Sequence, residues 1–183
     1  MIVGDVETFA IEFQISEAHP DDHFLALGFF IVHVNGREYG VRSDNATMLA
    51  NAVDGAAELL RTRGVTVNSR LSNMTADQLA DEYLEIFYRE ISNKIAANDL
   101  KDRQTQFLSA SCLWPSYDEE FDDGSHILRF DLGSHVRVVG FKNDNYQPDR
   151  LTETRVKAEV FYDVISRWPV LFREQRLRAL QRH

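Results

Sequence analysis

From Thr8 to Ile15 the chain alternates. Phe9, Ile11, Phe13 and Ile15 fall on one side, and Thr8, Ala10, Glu12 and Gln14 on the other. That period of two predicts a half-buried strand. The polar segment His19-Pro-Asp-Asp-His23 follows as a loop, then an apolar run from Phe24 to Val34 that closes in Asn35-Gly36. Asn-Gly is a strong hairpin signal, because both turn residues must take positive φ. A two-residue turn there predicts Val32 opposite Tyr39, Phe30 opposite Val41 and His33 opposite Glu38. The period then lengthens. Leu49, Ala52, Val53, Ala56 and Leu60 recur at helical spacing, with Gly64 as the stop. Thr75-Ala-Asp-Gln78 reads as a capping box. It opens a second helix carrying Leu79, Tyr83, Phe87, Ile91 and Ile95 at four-residue intervals.

Three more strands are predicted, Phe107–Trp114, Ile127–Leu132 and Val136–Phe141. Taking Leu128, Phe130 and Leu132 as one buried face sets Gly140, Val138 and Val136 as their partners. Gly133-Ser134-His135 is then the connection, with Asp131 opposite Arg137 on an exposed face. A two-residue Gly-Ser turn, which sets Arg137 beside Phe130, is disfavoured by the same reasoning. Thr152 is expected to cap a last helix with Val156, Val160, Phe161, Val164 and Trp168 inward, and Pro169 to break or kink it. The order of strands, helices, strands and helix lacks the alternation of a doubly wound sheet. It predicts a single α+β domain over residues 1–183, an antiparallel sheet packed against helices.

Composition adds a compartment and a charge. With 183 residues, 44% of them hydrophobic and 27% charged, the chain has the make-up of a soluble globular protein. No apolar run approaches the roughly 18 residues of a membrane span. The start MIVGDVE lacks a secretory pattern, and Cys112, the one cysteine, has no disulfide partner within the chain. A cytoplasmic protein is expected. Net charge is −9. Residues 1–150 hold 13 Lys and Arg against 25 Asp and Glu, and residues 151–183 hold seven against four. So acidic a body should repel nucleic acid and anionic membrane, and attract a basic macromolecule. The basic end reads as the cationic last turns of a helix.

Catalytic signatures are missing. The chain has no G-x-G-x-x-G, no G-x-x-x-x-G-K-[ST], no H-E-x-x-H and no G-x-S-x-G. His19 and His23 stand four apart around Asp21 and Asp22, but Pro20 argues for a loop. That group is the place an unrecognised enzyme site would occupy. No metal, cofactor or catalytic residue is assigned, and the chain is not expected to be an enzyme. The stretch YDEEFDDGSH concentrates five carboxylates, Asp118, Glu119, Glu120, Asp122 and Asp123, around Phe121, with Tyr117 ahead of them. A calcium-loop alignment with Gly124 at the sixth position puts Phe121 and Phe130 at ligand places, so the motif fails. Two readings stay open. One is a solvated connection turning at Asp123-Gly124, and the other is a docking surface of Tyr117 to Asp123 for a basic partner. Asp77, Asp81, Glu82 and Glu85 on the second helix compete for that role.

Met1-Ile-Val-Gly-Asp5, Thr8-Phe-Ala-Ile-Glu-Phe-Gln-Ile15 and Leu27-Gly-Phe-Phe-Ile-Val-His-Val-Asn-Gly36 resemble the opening of immunity protein family 42. The family often has proline after its Gly-Asp pair, and here Val6 stands instead. The resemblance implies an α+β bacterial protein encoded beside a polymorphic or contact-dependent inhibition toxin. Such a protein binds and neutralises its cognate toxin domain and has no catalytic residues. With the acidic charge, the expected partner is a basic domain such as a nuclease, since nucleases carry positive charge to hold phosphates. The competing reading is a structural or regulatory oligomerisation module. Oligomeric state and the mode of inhibition stay open.

Overall fold

The computed structural model describes residues 1–20, 26–64, 68–88, 97–110, 121–143 and 151–181. The chain begins with strands β1 (Ile2–Asp5), β2 (Phe9–Ala18), β3 (Ala26–Val34), β4 (Arg37–Tyr39) and β5 (Thr47–Met48). Helices α1 (Leu49–Arg61), α2 (Ser69–Asn73), α3 (Ala76–Phe87) and α4 (Ala97–Ala110) follow. Strands β6 (Ser125–Asp131), β7 (His135–Lys142) and β8 (Thr152–Lys157) then lead into the long helix α5 (Ala158–Leu180). Among the described residues every strand pairing is antiparallel. The fold is α+β, as the sequence pattern predicts.

The first sheet runs β1-β2-β3-β4, with β5 also beside β3, and the second runs β6-β7-β8. Asn35 and Gly36 take φ of 49° and 76°, the positive values of the expected hairpin turn. That turn sets Val32 against Tyr39 and His33 against Glu38. The predicted pair of Phe30 with Val41 does not form, because β4 ends at Tyr39. Thr75 and Gln78 make both bonds of the capping box, at 3.2 and 2.9 Å. α3 closes at Tyr88, and the expected inward positions Ile91 and Ile95 lie outside the described residues.

Among the described residues, two apolar clusters form the core. In one, the aromatic residues of β2 and β3 meet α5, with Phe9 4.6 Å from Phe161 and Phe30 5.2 Å from Trp168 between ring centroids. In the other, Tyr83 of α3 lies 5.5 Å from Phe107 of α4 and 5.6 Å from Phe141 of β7. The β6-β7-β8 sheet stands between them. Ile127, Val136 and Val138 belong to the first cluster, and Leu128, Phe130, Val139 and Phe141 to the second. Tyr39 links the two sheets. Its hydroxyl donates to the Gly140 carbonyl at 2.8 Å and meets Thr152 Oγ1 at 2.7 Å.

This double coverage overturns the predicted register of β6 and β7. Phe130 pairs with Arg137 and Asp131 with Val136, so the two-residue Gly133-Ser134 turn is the one that forms. The prediction assumed one face in water. In fact β6 is buried along its whole length, so side-chain alternation carries no register information there. Arg129 and Asp131, on the face taken as exposed, are 4% and 5% accessible. Arg129 Nη1 donates to Asp131 at 2.9 Å and to the Tyr162 hydroxyl at 2.8 Å, while Nη2 donates to Thr62 at 3.0 Å. On the opposite face, Arg137 forks onto Glu153 at 2.9 and 3.0 Å and donates to the Ser72 and Met74 carbonyls at the end of α2. Both buried cations are therefore paired.

Two other expectations are corrected. Residues 107–110 close a helix instead of opening a strand, because Leu100 and Phe107, two turns apart, pack together toward α3; residues 111–114 lie outside the described residues. Thr152 begins β8 instead of capping a helix, so Val156 is buried from a strand, and Val160 on α5 is exposed. Pro169 lies buried inside α5, which continues past it to Leu180.

Candidate partner-binding surface

Of the acidic stretch, Tyr117, Asp118, Glu119 and Glu120 lie outside the described residues. Phe121 is buried and meets Phe30 edge-on at 6.5 Å, so this ring anchors the loop to the core. Asp123 turns inward as well. One carboxylate oxygen accepts from the Ser125 N–H at 3.1 Å, and the other binds Lys142 Nζ. Gly124, at φ 76°, completes a turn whose N–H donates to the Phe121 carbonyl at 3.0 Å. Asp122 is exposed.

Two residues past that glycine, His126 is enclosed at 2% accessibility. Its ring centroid lies 5.0 Å from Tyr83, 5.0 Å from Tyr88 and 5.3 Å from Phe141. Among the described residues neither ring nitrogen has a hydrogen-bond partner. Burial drives its pKa from the usual 6.5 down to about 4, against the opposing pull of Asp123. The imidazole is neutral at physiological pH. Its contact with Tyr88 brings the end of α3 to the foot of the acidic stretch.

Tyr88 is 47% accessible. Along α3 ahead of it, Asp77, Asp81 and Glu85 recur every fourth residue and all are exposed. Glu82 belongs to a different row, where both of its oxygens bind Arg70 at 2.9 Å. The described part of this region is thus an outward row of carboxylates on α3, an exposed tyrosine, and Asp122 beyond it. Aromatic rings among charges make effective protein contacts, since the ring supplies buried area and the charges supply steering.

The family model of immunity protein 42 matches residues 1–170. The chain belongs to immunity protein family 42. As an immunity protein, it binds a toxin and neutralises it. A solved structure, that of CdiI from Burkholderia dolosa AUO158, is similar with a TM-score of 0.62 at 16% identity, covering 91% of this chain and 96% of that one. At that identity the likeness speaks for the fold. No curated protein matches the chain.

In this family member a second cluster resembles a metal centre. Ligand atoms of Glu12, His33 and Glu38 lie within 4.8 Å of one another. Arg42 stands among them, donating to both Glu12 oxygens at 2.8 and 2.9 Å and to Glu38 at 2.9 and 3.3 Å. Its guanidinium holds the Glu12 pKa down at about 2, so the cluster already contains its cation. His33 stands opposite Glu38 across the hairpin, as the turn predicts, and its ring bonds Glu12 at 3.0 Å. Of the other histidine group, His19 meets Glu17 at 3.3 Å, and Asp21, Asp22 and His23 lie outside the described residues. Sequence reasoning missed Tyr88 and His126. Tyr88 falls outside the four-residue rhythm of α3, and its contact with His126 joins residues 38 positions apart.

Proposed function

We propose that this immunity protein acts in the cytoplasm, by binding and without chemistry of its own, on a basic toxin domain of which a nuclease is the fitting example. It docks through Asp77, Asp81, Glu85 and Tyr88 of α3 together with Tyr117, Asp118, Glu119, Glu120 and Asp122 of the acidic stretch, while Phe121 and Asp123 hold that stretch to the fold. The observation that carries this reading is the exposed Tyr88 at the end of α3, the helix whose outward row is Asp77, Asp81 and Glu85, on a chain of net charge −9. Opposite charge raises the encounter rate and fixes orientation, and the aromatic contact slows release. Neither nucleic acid nor an anionic membrane suits that face. Among the described residues no helix is long and apolar enough to cross a membrane.

The test measures toxin association at several salt concentrations. Two variants suffice, one with Asp77, Asp81 and Glu85 changed to Asn or Gln, and one with Asp118, Glu119, Glu120 and Asp122 changed likewise, Asp123 being kept because it holds the turn. On-rates about tenfold lower or more, with a flatter salt dependence, are expected. Unchanged on-rates in both variants reject this face as the docking surface.

A further inference from the structure

α5 turns one row of residues outward along most of its length. Val160, Asp163, Arg167, Val170, Glu174 and Leu177 recur at alternating intervals of three and four, and all are exposed. On the opposite side of the helix, Phe161, Ile165, Trp168 and Phe172 are buried in the core. Charged residues alone would solvate the outer row. Apolar residues at that spacing are the pattern by which one helix packs on another. Val160 and Val170 are 47% and 51% accessible. Between these two valines the row carries one charge of each sign, Asp163 and Arg167, joined at 3.1 Å.

Such a row is its own complement. Two copies of α5, antiparallel about a two-fold axis level with Ile165, set Val160 against Val170 of the second copy. The same register sets Asp163 against Arg167 of the second copy, and the symmetry makes each contact twice. A parallel pair would stack Asp163 on Asp163 and Arg167 on Arg167. An antiparallel pair displaced by one heptad would bring Asp163 against Glu174. Like charges disfavour both, so charge selects one orientation and one register. The two valine layers stand about 15 Å apart along the axis, with the four charges between them. A seam this short buries less than a standard interface, so the dimer separates on dilution. α5 packs in the first apolar cluster and α3 in the second, on opposite faces of the β6-β7-β8 sheet. Pairing through α5 therefore leaves the α3 face of both copies open.

We propose that α5 pairs with α5 of a second copy, antiparallel and in this register, making the chain a symmetric dimer. The inference stands apart from the toxin reading, because the chain alone tests it. Sedimentation equilibrium of the full chain, from about 1 to 500 µM, should show the mass rising from the monomer toward twice that value. Asp163→Arg gives the row two arginines, and Arg167→Asp gives it two aspartates. Each variant alone should keep the monomer mass, with the circular dichroism of the unaltered chain, since both positions are exposed. Mixed in equal amounts, the two variants should form a heterodimer, because each row then meets its opposite. An unaltered chain that stays at the monomer mass throughout overturns the pairing. So does a dimer that survives both single changes, or a mixture of the variants that fails to associate. A monomer whose toxin binding falls with Arg167→Asp assigns the row to the toxin and overturns the pairing as well.

Discussion

Replacing His126 with phenylalanine should remove a calculable part of the protein's sensitivity to acid. The imidazole is enclosed by Tyr83, Tyr88 and Phe141, and among the described residues neither nitrogen has a hydrogen-bond partner. Its pKa falls from 6.5 to about 4 because burial disfavours the charged ring. A lowered value means that the fold holds the neutral form. The stability it contributes is fully present above pH 6.5 and is lost as the pH falls toward 4. At pH 5 nearly every unfolded chain carries the proton, and about one folded chain in ten does. Relative to pH 7 the native state loses roughly 2 kcal/mol through this residue alone. Phenylalanine keeps a ring in the aromatic box and cannot titrate. Urea unfolding, followed by tryptophan fluorescence, measures both proteins at pH 7 and pH 5. The other titrating groups are common to both proteins, so the comparison isolates the histidine together with its coupling to Asp123. The unaltered protein should lose about 2 kcal/mol more than His126→Phe between the two pH values. Losses that agree within about 0.5 kcal/mol refute the reasoning, because the ring would then be able to accept its proton in the fold.

Three other perturbations test the packing. Asp131→Ala strands the Arg129 guanidinium at 4% accessibility and should destabilise the fold by about 3–5 kcal/mol in urea titrations, while a combined Arg129→Met and Asp131→Leu change should be far milder. Gly140→Ala places a methyl carbon 2.4 Å from the Tyr39 ring, where the two sheets join, and should lower stability by about 1–3 kcal/mol, read as a drop in melting temperature. Thr75→Ala removes the capping box of α3 and should cost about 1 kcal/mol, again by urea titration.

The features legible in the sequence were those fixed by neighbouring residues. Asn35-Gly36 dictates its turn through backbone conformation, and Thr75 with Gln78 dictates a helix start through two local hydrogen bonds. The alternation of Phe9, Ile11 and Phe13 was readable because α5 covers that face of β2. The β6-β7 register was not, because that sheet is buried on both sides and buries Arg129 and Arg137 with their partners. An arginine paired through side chains from distant helices looks, in sequence, like an arginine in water. Thr152 misled for a related reason, since its hydroxyl serves Tyr39, 113 residues away, and not a helix end. For the candidate surface, the sequence supplied the carboxylates. It could not supply Tyr88, because the contact with His126 that brings α3 to the acidic stretch exists only in the fold.

The central claim is that this chain binds and neutralises a toxin. The most direct measurement expresses the toxin domain from the adjacent reading frame in a susceptible bacterium, with and without this chain, and records growth and co-purification. The account predicts that the chain restores growth and that the toxin is retained with it through purification. Continued growth arrest with both proteins present, and a toxin that passes through without the chain, would contradict it.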